Sequence, residues 1–258
     1  MPLTAKSRAP AANRLLAALP LNEYQRLLPE LEQVTMPFAE ALYGTGERIR
    51  HVYFPNESIV SLLAEVTARS PLEVGLIGSE GVAGISVFMG VDTSPYRAIV
   101  QGGGTAMRMK AEVLRQEAEH AGPLHRLLHL YAHSLLTQVS RSAACNRFHA
   151  VDARLARWLL MTGDRLGANE FRLTQEFIAN MLGVRREGVN KAAGALQKDG
   201  LITYSRGRIK ILERVGLGAI ACECYRITKD ESDGYLRKNR APDMVAPLKN
   251  RKGERSKL

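Results

Sequence analysis

Apolar residues follow a helical period twice in succession in the second half of the chain. Between residues 173 and 182 they recur along one helix face, and Gly183 follows as a helix-ending residue. Thr174 is the expected N-cap, because its hydroxyl can accept a free backbone N–H of the first turn. A second helix is expected from about 185 to 199. Its apolar stripe consists of Val189, Ala192, Ala193 and Leu196.

A hairpin pattern follows the second helix. Strands are expected to begin at Leu201 and Ile209, and residues 205–208 carry a turn signal between them. Arg206, Arg208 and Lys210 would place positive charge on this hairpin. Two short helices, a tight turn and a hairpin together predict a winged helix-turn-helix domain.

The second helix also carries a polar face that suits base recognition. Arginine matches the acceptors of guanine, glutamate accepts from cytosine, and asparagine pairs with adenine in the major groove. Hairpin arginines would lie beside the phosphates. The predicted DNA-binding residues are Arg185, Arg186, Glu187, Asn190, Lys191, Thr174, Arg206 and Arg208. A solvated charged face, or a domain that binds protein, is the competing interpretation.

The first half has a different pattern. Short β-rich segments separated by Gly, Pro and Asn run from about Met36 to Met109, which predicts a compact β-roll or barrel, with a short helix over 82–89. Residues 111–147 are expected to form one or two helices, with a long helix beginning near Pro123. Its narrow apolar seam predicts a homodimer, and packing on the chain's own β-roll is the alternative. The seam consists of Leu124, Leu128, Tyr131 and Leu135, continued by Gln138 and Ser142.

These patterns predict an α+β fold with three parts: an N-terminal, jelly-roll-like β-roll sensor domain, a long dimerisation helix and a C-terminal winged helix-turn-helix domain. The expected segments are a disordered N-terminus (1–13), the β-roll (14–112), the dimerisation helix (113–149), the winged domain (150–213), a C-terminal helix (214–237) and a basic disordered tail (238–258).

Charge is distributed unevenly along the 258 residues. Residues 1–140 hold 12 Lys and Arg against 13 Asp and Glu, whereas residues 141–215 hold 14 against 7. The positive charge therefore coincides with the predicted winged domain, as expected of a nucleic-acid binder.

No apolar run is long enough to cross a bilayer, and the N-terminus lacks a signal-peptide pattern, so no membrane association is expected. Three cysteines are too few for a disulfide framework, which predicts a cytoplasmic protein. Cys222 and Cys224 are expected to point in different directions from one helix, so no metal site is predicted. No nucleophile–base pair, Walker loop or HExxH pattern is present, and no enzymatic activity is expected.

The order of β-roll, long helix and winged domain resembles the Crp/Fnr family of bacterial transcription regulators over residues 15–213. The run 184–191 resembles the family's recognition helix, and by that match Arg186, Glu187 and Lys191 would read bases. Arg185 stands where the family often has a capping Ser, and Lys191 replaces a common Arg, which removes a bidentate fork. The resemblance implies double-stranded DNA, a second copy of the chain and RNA polymerase as partners.

The resemblance also gives candidate effector residues. Arg97 lies where cyclic AMP-binding members hold the cyclic phosphate, Gly81 lies in the glycine-containing segment of that cassette, and Ser140 matches half of an adenine-contacting pair. The ribose-binding glutamate has no clear counterpart, so cyclic AMP is not expected. No cofactor is predicted, and the identity of an effector at the β-roll is left open. An iron–sulfur cluster is disfavoured because the first cysteine is Cys145.

Two further interpretations are kept open. His125, His129 and His133 share one helix face, which suits either a metal, haem or acid sensor in a dimer or simply solvated, hydrogen-bonded side chains. At the level of function, the alternative to a homodimeric DNA-binding regulator is a ligand-sensing signalling module whose winged domain binds a protein partner.

Overall fold

The computed structural model describes residues 12–65 and 71–238. The disordered N-terminus expected over 1–13 and the tail expected over 238–258 lie almost wholly outside the described residues. Asn13 is an exception, because it is buried and its side-chain oxygen accepts from the backbone N–H groups of Leu15 and Leu16. The expectation of disorder is therefore wrong at Asn13, which caps the first helix.

The N-terminal domain is a roll of antiparallel strands preceded by two short helices, α1 (Arg14–Ala17) and α2 (Leu21–Leu27). The strands are β1 (Glu32–Met36), β2 (Ala41–Tyr43), β3 (His51–Pro55), β4 (Ile59–Glu65), β5 (Pro71–Ile77), β6 (Arg97–Gly102) and β7 (Gly104–Lys110). They form two sheets, ordered β1-β7-β3 and β2-β6-β4-β5. Apolar side chains such as Val52, Phe54 and Val100 fill the roll. The helix expected over 82–89 is reduced to one short turn, Ile85–Val87.

Two helices occupy the segment expected to hold one or two, and the longer one begins at Pro123 as expected. The first, α3, spans Ala111–Ala118, and the second, α4, spans Pro123–Phe148. The seam of α4 is buried within the chain's own fold, so its assignment to a dimer interface is wrong. Tyr131 donates from its hydroxyl to the carbonyl of Val82. Gln138 both donates to and accepts from the backbone of Leu76 in β5, which explains a polar residue at a buried seam position.

The C-terminal domain is a winged helix-turn-helix. It comprises α5 (Val151–Leu166), β8 (Glu170–Arg172), α6 (Gln175–Leu182), α7 (Arg186–Lys198), β9 (Ile202–Ser205) and β10 (Arg208–Ile211). Its sheet has the order β8-β10-β9. A core containing Trp158, Ile178, Val189, Leu196 and Ile209 joins the three helices to this sheet.

The segment after the wing contains two helices rather than the single one expected over 214–237. These are α8 (Arg214–Ile220) and α9 (Cys224–Lys238). Helix α8 ends because Ala221 adopts an extended conformation (φ −61°, ψ 141°). Helix α9 then runs back along α4 and α5, where Tyr235 and Leu236 are buried.

The two domains contact each other directly. The indole N–H of Trp158 in α5 donates to Glu73 in β5 over 3.0 Å. Arg165 forms a 2.7 Å ion pair with Glu80, and both side chains are only 9% exposed. At Gly183 (φ +61°), an added Cβ would come within 2.6 Å of the Leu72 side chain. Glycine at this turn therefore permits both the left-handed backbone conformation and the close approach of Leu72 from the roll.

Candidate nucleic-acid interface

The turn between α6 and α7 places α7 as the sequence predicts. The Thr174 hydroxyl accepts the backbone N–H of Phe177 over 3.1 Å and caps α6. Gly183 ends α6 in the left-handed region, and Val184 is half-buried between the helices. Arg185 occupies the N-cap position of α7 without a side-chain cap hydrogen bond. Arg186 and Glu187 consequently form the first turn of α7.

Helix α7 separates its two faces completely. Its apolar stripe of Val189, Ala192, Ala193 and Leu196 is buried. The residues predicted to read bases all point to solvent on the other face; they are Arg186, Glu187, Asn190 and Lys191. The buried alanines let α5 and α6 approach α7 closely, which fixes the helix and therefore the polar face.

Gln175 is part of this surface although sequence reasoning did not select it. Its side-chain oxygen accepts from Arg186 Nε over 3.3 Å, and its amide nitrogen donates to Asn190 Oδ1 over 3.2 Å. Gln175 is the first residue of α6. A polar side chain directly after the N-cap of α6, next to the start of α7, is the sequence feature by which it could have been predicted. The side chain holds Arg186 and Asn190 in a fixed relation.

The wing supplies a second exposed cationic group. Strands β9 and β10 are joined by Arg206 (φ +50°) and Gly207 (φ +74°), two consecutive left-handed residues that make the tight turn typical of hairpins. Arg206 is therefore carried at the tip, where it is exposed. Arg208 is also exposed but forms a 3.2 Å ion pair with Glu170 of β8. Thr174, Arg185 and Arg206 lie on exposed parts of the same domain.

The three candidate effector residues have separate surroundings. Arg97 is exposed at the start of β6 and forms a 3.7 Å ion pair with Glu65. A Cβ added at Gly81 would come within 2.2 Å of the Tyr131 ring, so that ring closes the space above the glycine. Ser140 is exposed on α4. An effector site formed by these residues stays a prediction.

The three histidines of α4 share a face and are occupied by local contacts. The rings of His125 and His129 lie 4.4 Å apart, and the Phe88 ring packs edge-on against both. His133 Nδ1 lies 3.1 Å from a carboxylate oxygen of Glu231 in α9. Within one chain, these contacts agree with the interpretation of the three histidines as packed or hydrogen-bonded side chains rather than as a sensor.

Three cysteines and a histidine meet beside α5, where the sequence predicted no metal site. Cys145 and His149 lie at the end of α4, Cys222 lies two residues before α9, and Cys224 is the first residue of α9. Their possible ligand atoms are all within 4.8 Å of one another. The expectation that the two later cysteines diverge from one helix is wrong, because the extended Ala221 ends α8 before them. A hydrogen bond from Cys222 lowers the pKa of the Cys145 thiol.

Comparison with known proteins supports this description. Residues 153–220 match the model of the Crp-like helix-turn-helix domain. No curated protein matches the chain. No helix in the described ranges has both the length and the apolar character needed to span a membrane.

Solved structures share the architecture well beyond the matched domain. FixK2 from Bradyrhizobium japonicum is 18% identical with a TM-score of 0.64, over 74% of this chain and 98% of its own. CLP of Xanthomonas campestris, a c-di-GMP-responsive global regulator, is 20% identical with a TM-score of 0.61, over 74% of this chain and 99% of its own. A Crp/Fnr-family transcriptional regulator from Thermus thermophilus is 22% identical with a TM-score of 0.60, over 74% and 98%.

The predicted α+β architecture of roll, long helix and winged domain is thus confirmed. CLP is a global regulator and the Thermus thermophilus protein is a transcriptional regulator. Residues 153–220 are thus similar to the Crp-like helix-turn-helix domain, and the chain shares the fold of CLP, FixK2 and the Crp/Fnr-family regulator from Thermus thermophilus.

Proposed function

We propose that the protein is a homodimeric transcription regulator that reads double-stranded DNA with α7. The observation that carries this proposal is the exposed polar face at the start of α7, held on a buried apolar stripe. Residues in the first turn of such a helix reach base edges when the helix enters the major groove. Arg186 then contacts guanine with its two-pronged guanidinium, and Glu187 accepts from the amino group of cytosine.

The remaining candidate residues divide by the part of DNA that they can reach. Asn190 and Lys191 lie one turn further along α7, so they contact either bases or the adjoining phosphates. Arg206 at the tip of the wing and Arg185 before the helix supply positive charge at the edges of the groove. Phosphate contacts of this kind fix the position of the protein and carry no sequence information. RNA polymerase remains an expected partner through the family.

Homodimerisation would have to use a different face of α4 from the one that the seam predicted. On the outer face of this helix, Leu136 is 64% exposed, and Ala143 lies two turns further along the same side. A second copy that covers this face would relate two recognition helices by a two-fold axis. Such an arrangement fits a near-palindromic site with half-sites about 34 Å apart.

The test of DNA reading is a comparison of Arg186 variants on a selected binding site. Arg186→Ala should lower affinity for the site by roughly 5- to 150-fold, equivalent to about 1–3 kcal/mol, while salt-sensitive binding to unrelated DNA persists. Arg186→Lys should show most of this loss, because it keeps the charge and loses the fork. Lys198→Ala, at the far end of the same helix, is the matched control.

Equal loss of specific and non-specific binding in Arg186→Ala would show that Arg186 contacts only phosphate. Absence of any retarded DNA fragment at low salt would favour the alternative, a winged domain that binds a protein partner.

The test of the dimer is the molar mass in solution. Leu136→Glu should convert a dimer into a monomer, because a charge placed in an apolar interface is costly to desolvate. Val215→Glu is the control, since Val215 is 81% exposed and belongs to α8 rather than α4. A wild-type protein that is monomeric at micromolar concentration, or a dimer indifferent to Leu136→Glu, would contradict the proposed interface.

A further inference from the structure

The strongest unexplained feature is the cluster of Cys145, His149, Cys222 and Cys224. Cys145 lies in the last turn of α4 and His149 follows that helix directly, while the other two residues come from a segment more than 70 positions later. The Sγ atoms of Cys145 and Cys222 are 3.5 Å apart. The Sγ of Cys224 is 3.8 Å from Nδ1 of His149. All four ligand atoms fall within 4.8 Å of one another.

These distances suit one tetrahedral ion. With zinc–sulfur bonds of about 2.3 Å and a zinc–nitrogen bond of about 2.0 Å, tetrahedral ligands lie about 3.5–3.8 Å apart. Cys145 and Cys224 are buried, and Cys222 and His149 are half-buried. Four protein ligands leave no open position, which is the property of a structural site rather than a catalytic one.

Two arginines beside the cluster point to a missing negative charge. Arg154 and Arg157 are each only 6% exposed, and the Nε atom of each has no hydrogen-bond partner among the described residues. Arg157 has a hydrogen bond to the thioether of Met161 and no ion pair with a carboxylate in the described chain. Glu73, a neighbouring carboxylate, is instead bonded to Ser61 and Trp158. Buried cations are normally paired, so a counter-charge is expected here.

We propose that Cys145, His149, Cys222 and Cys224 bind one zinc ion. On binding, the hydrated ion exchanges its waters for three sulfurs and Nδ1 of His149, and any thiol protons pass to solvent. Three thiolates and a divalent cation leave a net charge of −1. That charge interacts with Arg154 and Arg157. The hydrogen bonds that these arginines form among the described residues go to the uncharged groups of Asn146, Leu182 and Met161.

Two other uses of the cluster fit the geometry less well. An iron–sulfur cluster places several irons and sulfides between its ligands, and ligand atoms within 4.8 Å of one another leave too little room for them. A disulfide between Cys145 and Cys222 needs the sulfurs at about 2.05 Å and an oxidant, and it leaves Cys224 and His149 unused. A single tetrahedral ion uses all four residues.

The site would tie together elements that are distant in sequence. His149 lies at the junction between α4 and α5, where the sensor half meets the winged domain. The two later cysteines lie where the chain turns from α8 into α9. Zinc would therefore fix both the junction and the start of the helix that runs back along α4.

The experiment measures metal in the full-length protein, purified under reducing conditions without chelator and dialysed. Elemental analysis should find about one zinc per chain in the wild type and in the control variant His120→Ala, which alters an exposed histidine outside the cluster. Cys222→Ser and Cys224→Ser should retain almost none. Arg157→Met should keep the ligands but bind zinc roughly 10- to 100-fold more weakly.

A second measurement does not depend on the folding of variants. Wild-type protein reconstituted with cobalt should show the intense visible bands of tetrahedral Co²⁺ and a thiolate-to-metal charge-transfer band, both removed by added zinc. Sub-stoichiometric zinc together with no tetrahedral cobalt spectrum would overturn the proposal. So would stoichiometric iron and sulfide, or a Cys145–Cys222 disulfide found in protein that binds no metal.

Discussion

The C-terminal half holds two groups of arginines in opposite surroundings. Arg185, Arg186 and Arg206 are exposed on the recognition helix and wing, and the described residues provide no carboxylate partner for them. On α5, Arg154 and Arg157 are buried, and the side chain of Arg165 is only 9% exposed. Among the described residues, only Arg165 of these three forms an ion pair with a carboxylate, that of Glu80. Both groups add equally to the basic character of residues 141–215. Only the exposed group forms part of the proposed DNA-binding surface.

The difference shows how the same side chain serves two purposes. An exposed guanidinium keeps its water until a phosphate or base replaces it, so it contributes to binding with little effect on folding. A buried guanidinium has lost its water and requires a partner within the protein. Substitutions in the two groups should therefore separate stability from DNA binding.

The largest effect is expected from breaking the buried pair between the domains. Arg165→Ala leaves Glu80 buried without its ion-pair partner and should lower the free energy of unfolding by about 3–5 kcal/mol. Denaturant unfolding measures this change. Arg226→Ala is the control, because its pair with Asp230 is exposed and worth at most about 1 kcal/mol. Equal losses in the two variants would show that the Arg165–Glu80 contact is not a buried pair in solution.

A somewhat smaller effect, on the pH dependence of stability, is expected from Glu73, which accepts a hydrogen bond from Trp158 of α5. Burial raises the pKa of this carboxyl from its ordinary value of 4.5 to about 7. The folded protein then holds a proton that the unfolded chain has released, so stability falls as pH rises from about 4.5 to 7 and levels off above that. The total change attributable to Glu73 is about 3 kcal/mol.

Glu73→Gln should remove that part of the pH dependence while keeping an acceptor for the Trp158 indole. Unfolding measured at pH 5 and pH 8 should show the variant gaining relative stability at pH 8. Glu65→Gln, which changes an exposed carboxylate on the neighbouring strand β4, is the matched control. A Glu73→Gln protein whose stability still falls as steeply as that of the wild type would contradict the raised pKa.

Local patterns explain what the sequence could predict about the site. The cap at Thr174, the left-handed Gly183 and the stripe from Val189 to Leu196 each depend on residues within two helical turns, and all three are found as expected. The polar face of α7 follows from that stripe by geometry alone.

What could not be predicted depends on contacts between distant parts of the chain. The seam of α4 has an apolar pattern, but the pattern does not say which surface covers it, and the chain's own roll does so. The four residues of the proposed zinc site meet only because Ala221 ends a helix that periodicity would have continued. The buried α5 arginines contribute to the count of positive charge over residues 141–215 in the same way as the exposed ones, because net charge carries no information on burial.

The smallest expected effect tests the exposed group at the tip of the wing. Arg206→Ala should leave the free energy of unfolding unchanged within about 0.5 kcal/mol, because the side chain is exposed and Ala accepts the left-handed backbone about as well as Arg. Binding should weaken on every DNA sequence alike, and the slope of log affinity against log salt should fall by about one. Arg206→Lys should restore the slope, since a phosphate requires charge rather than a fork. If Arg206→Lys behaves like Arg206→Ala and the loss depends on sequence, the wing arginine reads a base edge, and the exposed group contains a second reader besides Arg186.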